Sequence, residues 1–101
     1  MTDADIAFHP EAAIEYQAAY SWYASRSEVV AARFEQEIDR ALRRISEAPE
    51  RWSLLDEVNR KFILRRFPFI VVHRRYGDRL WVVAVAHGHR RPDYWKDRSV
   101  R

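Results

Sequence analysis

The sequence predicts an α+β domain: an N-terminal strand, then a two-helix hairpin packed on a small, mainly antiparallel sheet of about four strands, then a basic C-terminal tail. Three observations predict it. Apolar residues recur at helical spacing over residues 10–24 and again over 30–45. From residue 61 the period changes to two and β-branched residues take over. Gly77-Asp78 then stands between two apolar runs, as a two-residue hairpin turn does. Residues 1–101 make one domain, and with 48% hydrophobic residues they hold enough apolar material for a core, which argues against disorder.

Each element has a local reason. Ile6 and Phe8 alternate within Asp5–His9, a short first strand. Pro10 suits the first helical position, and Glu11 and Glu15 suit the positive end of a helix dipole. Ala13, Tyr16, Tyr20 and Tyr23 carry the first helix to about Ala24. Ser25 or Ser27 caps the second helix, and Ser25 with Glu28 fits a capping box. Val30, Phe34, Ile38, Ala41, Leu42 and Ile45 form its apolar stripe, and Pro49 ends it. Residues 49–59 read as a loop anchored by Trp52, Leu54 and Leu55. Strands follow at 61–66, 68–76 and 79–87.

The turn predicts a register. Tyr76 faces Arg79, Arg74 faces Trp81, Val72 faces Val83, Ile70 faces Val85 and Pro68 faces His87, all on one sheet face. Phe69, Val71, His73, Arg75, Leu80, Val82, Ala84 and Ala86 share the other. Both faces are apolar at their centres, and two helices cover only one. The tail after His87 or another chain must cover the second, which points to a protein partner.

Charge is divided along the chain. Residues 1–59 hold 6 Lys+Arg and 12 Asp+Glu, a net of −6, whereas residues 60–101 hold 12 and 3, a net of +9. Only Lys61 and Lys96 are lysines, and arginine favours bidentate contact with phosphate or carboxylate. A solvated surface accounts for such clusters in general, but so basic a half suits an acidic partner.

Several chemistries find no support. With no cysteine there is no disulfide or thiolate site, and with only two glycines there is no phosphate loop. His87 and His89 have metal-ligand spacing, but His73 falls on the opposite face in this register and no third ligand is convincing. Neither metal nor cofactor is expected. The start carries acids where a signal peptide needs a basic and then an apolar region, and no apolar run reaches membrane-spanning length, so a cytoplasmic protein without membrane contact is expected. Arg90 and Arg91 beside Tyr94 and Trp95 combine phosphate grip with stacking surface, although on composition a tail whose aromatics pack back on the sheet explains them slightly better.

The stretches FHPEA (8–12), AARF (31–34), SEAP (46–49), RRFPFIVVHR (65–74) and VAVAHGHRRPDYW (83–95), in this order and spacing, resemble the RelE/ParE superfamily. These are toxins of type II toxin–antitoxin modules, also called plasmid stabilisation proteins. The resemblance covers nearly the whole chain and implies a small basic toxin. A cognate antitoxin silences it by wrapping it with an acidic or amphipathic segment, in a hetero-oligomeric complex. It also implies one of two activities. RelE-like members cut messenger RNA in the ribosomal A site, while ParE-like members poison DNA gyrase and cut nothing themselves.

In the RelE-like case the 2′-hydroxyl attacks the adjacent phosphate, so a base, an acid and cations are required. The resemblance then offers His87 or Tyr94 as proton carrier, with Arg65 as phosphate grip. In either case Arg65, Arg66, Arg90, Arg91 and Trp95 are the candidate contacts to nucleic acid or target. Trp81, Arg74 and Trp95 are the candidate contacts to antitoxin. The Phe-Pro-Phe strand and the Arg-Arg-Pro…Tyr-Trp tail look more ParE-like. The ribosome-dependent nuclease is the alternative, and a nontoxic nucleic-acid-binding module is a third reading.

Overall fold

The computed structural model describes residues 6–88, 90–91 and 93–100. Strand β1 (Ile6–Phe8) leads into helix α1 (Pro10–Ala24) and helix α2 (Glu28–Glu47). Strands β2 (Ser53–Leu54), β3 (Arg60–Ile63), β4 (Phe69–Tyr76) and β5 (Arg79–His87) follow. The sheet order is β1-β5-β4-β3-β2, with β1 parallel to β5 and the other pairs antiparallel. Asp5, the predicted start of the first strand, lies outside the described residues.

Short side chains set the helix ends. His9 caps α1: its Nδ1 accepts from the Glu11 backbone N–H at 3.0 Å. Ser27 caps α2, its hydroxyl oxygen accepting from Val30 N–H at 3.2 Å. The expected Ser25–Glu28 box does not form, because Ser25 ends α1 and donates its hydroxyl to the Trp22 carbonyl at 2.7 Å. The α2 stripe is buried at Ala31, Phe34, Ile38, Ala41, Leu42 and Ile45, while Val30 stays half-buried at its rim. Phe34 is fully buried among Tyr16, Tyr23, Phe67 and Phe69, with ring centroids 5.2–5.7 Å apart, and this aromatic nest joins both helices to the sheet.

The predicted loop at 49–59 contains β2, and β3 is shorter than expected. Gly77 has φ +64°, which the turn requires and glycine accepts without strain. The hairpin register holds from Tyr76↔Arg79 to His73↔Val82 and then shifts. His73 faces Val82 but Val72 faces Ala84, so Val83 is an extra residue in a β-bulge. The predicted pairs Val72–Val83, Ile70–Val85 and Pro68–His87 are therefore one residue out: Ile70 faces Ala86 and Phe69 faces His87. Past the bulge every β5 side chain changes face. Val85 joins Val71, Leu80 and Val82 under the helices, while Ala84 and Ala86 join Val72 on the other side.

The second face is not left for a partner. The chain's own tail covers it, with Trp95 and Val100 buried against Val72, Val83, Ala84 and Ala86. A bare sheet face therefore gives no ground for a partner. The bulge also moves His87 to the same face as His73, but Phe69, opposite His87, lies four residues from His73, about 13 Å along the strand. His89 lies outside the described residues, and among those described no group of three potential metal ligands forms.

Candidate functional site

Strand β1 covers β5 only as far as Val82, and the exposed edge beyond it is closed by side chains. Glu15 on α1 accepts from the Val85 N–H at 2.9 Å, and Arg98 donates to the Val83 carbonyl at 2.9 Å. Arg98 and Glu15 also pair with each other through two bonds of 3.1 and 2.8 Å. Tyr94 lies beside this pair with the Arg98 guanidinium 5.0 Å from its ring centre. Burial, and then the Glu15 carboxylate, push its hydroxyl well above the ordinary tyrosine range, and Arg90 and Arg98 offset this only in part.

Beside this edge opens a cleft of about 640 Å3. Ala18, Trp22 and Tyr23 of α1 form one wall, and Phe69, Val85 and His87 the other, with Glu15 and Arg90 at the rim. Its apolar lining continues onto the outer side of α1. Apolar residues stand on the outward as well as the inward side of that helix, and only Ala12 and Ala19 are buried in it; Ile14 is 61% and Trp22 54% exposed. Arg26 stacks on Trp22 at 3.7 Å. Neither the cleft nor the outward face of α1 is visible in sequence, where the tyrosine stripe alone accounts for the helix.

The predicted site residues do not converge. His87 ends β5, its ring edge-on to Phe69 at 5.1 Å, and it shares the cleft with Arg90. The Arg90 guanidinium lies 4.0 Å over the Tyr94 ring. Arg90 and Arg91 are exposed. Arg65 and Arg66 lie on the exposed loop between β3 and β4 at the same end of the sheet, but on its α2 side: the Arg65 N–H donates to Glu37 Oε1 at 3.3 Å, and Arg66 lines a groove along α2. Trp95, expected to contact target and antitoxin, is 4% exposed and sits in the second core, so its side chain serves the fold. Arg74 and Trp81 are half-buried cross-strand partners on the tail side, with Nε and Nε1 buried and without acceptors among the described residues. Sequence alone missed Glu15 and Arg98, whose meeting depends on the tail's path.

His73 on β4 is 1% exposed, and burial, helped by the nearby Arg60 charge, lowers its pKa to about 4. It is a neutral core histidine at physiological pH. No helix is long and apolar enough to cross a membrane among the described residues.

The fold is shared with known proteins. A solved structure described as "Chromosomal ParDE TA system from P. aeruginosa" superposes with a TM-score of 0.71 at 17% identity, covering 82% of this chain and 94% of that one. No curated protein matches the sequence. The family described as "ParE toxin of type II toxin-antitoxin system, parDE" matches residues 6–92, from β1 through the arginine pair of the tail. With both helices, the whole sheet and the cleft inside that span, the chain belongs to the ParE toxin family of type II toxin–antitoxin systems.

Proposed function

We propose that the chain is a cytoplasmic toxin that poisons DNA gyrase and is silenced by a cognate antitoxin. The carrying observation is how the proton-transfer candidates are used. Tyr94 is packed against the Glu15–Arg98 pair with its pKa raised, and Arg65 lies on the α2 side of the sheet. Glu15 itself is engaged by Arg98 and by a backbone amide. RNA cleavage calls for both a base and an acid, and among the described residues the cleft offers His87 as the one such group not held in the Glu15–Arg98 pair. A toxin that acts by seating on an enzyme has no such requirement.

One observation favours the ribosome-dependent nuclease: His87 and Arg90 line the same cleft, and histidine can serve proton transfer at neutral pH. Induction in cells separates the two. A gyrase poison triggers a DNA-damage response and filamentation while messenger RNA stays intact. A nuclease stops translation with cuts at codon positions.

The cleft and the outward face of α1 suit the apolar side of an antitoxin helix, and Arg26 and Arg90 at the margins suit its acids. Arg74 and Trp81 are candidates for a second contact. Antitoxin at a hundred times its Kd should stabilise the native chain by about 2.7 kcal/mol. No stabilisation by the product of the neighbouring gene contradicts the reading.

A further inference from the structure

The charges of α2 divide unevenly between its exposed sides. Glu35 and Asp39 lie on the side turned towards α1, where their charges act on the Tyr16 hydroxyl. Arg33, Arg40 and Arg43 line the side that faces the loop between β3 and β4, with Arg43 one turn beyond Asp39. Between helix and loop runs a groove of about 650 Å3, with these three arginines on one wall and Arg66 and Phe67 on the other. Among the described residues Glu37 is the one acid in it. Its carboxylate accepts the Arg65 N–H, which ties the loop to the helix and fixes where Arg66 stands. None of the four arginines forms a salt bridge with a described residue, although Arg40 is half-buried.

We infer that this groove binds the phosphodiester backbone of a nucleic acid. Ten residues separate Arg33 from Arg43, about 15 Å along the helix axis. Over that length a DNA duplex presents about four phosphates on each strand, which matches the four guanidinium groups. Guanidinium forks grip phosphate oxygens in pairs and hold their charge at any physiological pH. An acidic protein segment fits less well. Protein partners gain affinity by burying apolar anchors, and the α1 cleft offers more of these than the arginine groove, where Val30 and Phe67 stand among four guanidinium groups. A polyanion gains it from released counterions, in proportion to the number of cations presented. The two sides of the helical hairpin thus offer two different surfaces. The inference stands apart from the choice between gyrase and ribosome, because it concerns binding by the isolated toxin.

Fluorescence anisotropy with a labelled 16-base-pair duplex, an RNA duplex of the same sequence and a polyglutamate peptide of equal charge, each titrated from 50 to 200 mM KCl, tests it. Four phosphate contacts predict a slope of log K against log salt of about −3.6, a loss of on the order of 100-fold across that range. In the variant Arg33→Gln/Arg40→Gln/Arg43→Gln the slope should become shallower by about 3. Arg33→Gln/Arg43→Gln, which spares the half-buried Arg40, should lose about two thirds as much, and it decides the matter if the triple variant fails to fold. DNA and RNA binding alike, or either alone, supports the groove and identifies the nucleic acid. An unchanged slope in a folded variant overturns the inference, as does polyglutamate binding as tightly as the duplexes with the same sensitivity to these substitutions.

Discussion

Arg98 closes on Glu15 across 83 positions of sequence, with two bonds of 3.1 and 2.8 Å and both side chains little exposed, at 13% and 12%. Each partner also satisfies a backbone group on the edge of β5 that β1 leaves open. The pair therefore ties the tail to α1 and closes a strand edge that would otherwise invite another chain. Removing one partner strands a charge and frees a backbone group. Arg98→Ala and Glu15→Ala should each cost about 3 kcal/mol of unfolding free energy in denaturant titration. A loss below about 0.5 kcal/mol would place the pair among ordinary surface bridges.

Trp95 supplies the second prediction. Its side chain fills the core between tail and sheet, and its Nε1 has no acceptor there. Trp95→Ala should cost about 3–5 kcal/mol. Trp95→Phe forfeits no hydrogen bond, so it should keep the fold and leave antitoxin affinity within a few-fold by calorimetry. A large loss of affinity in a folded Trp95→Phe would return this residue to the interface.

His73 makes stability depend on pH. Its folded pKa is about 4 against an ordinary 6.5, so between those values the unfolded chain binds a proton that the folded chain refuses. Stability falls as pH drops from about 6.5 towards 4. Between pH 7.5 and 5 the loss should be about 2 kcal/mol. Denaturant midpoints across that range check it, and His73→Phe should flatten the curve. A wild-type curve flat down to pH 5 would mean that His73 is hydrated or paired.

Much of this fold was legible because its signals are local. Pro10 and Ser27 start the helices, the Phe34–Ile38–Leu42–Ile45 stripe chooses the buried face of α2, and Gly77 fixes the hairpin turn. The bulge was not legible. Val82-Val83-Ala84-Val85-Ala86 is apolar at every position, so no polar residue reports which face each side chain takes, and one inserted residue reverses half the strand. The tail was ambiguous for a related reason: Tyr94 and Trp95 suit a partner and a core equally, and only the meeting of Arg98 with Glu15 decides between them. The arginine groove was hidden because Arg66 comes from a distant loop.

Arg90 and Arg91 are exposed, so they can be removed without touching the core. The double alanine variant should keep the wild-type unfolding transition and lose toxicity on induction. If it unfolds, these arginines hold the tail and have no claim to the site.

The most direct test of the proposed activity uses purified gyrase, relaxed plasmid and ATP, with wild-type chain and His87→Ala side by side. Both should block supercoiling, cleaved plasmid should accumulate, and cognate antitoxin should reverse the effect. Purified ribosomes with a defined message provide the contrary arm. No effect on gyrase, together with codon-positioned cleavage that falls by about two to four orders of magnitude in folded His87→Ala, would make the protein a nuclease and not a gyrase poison.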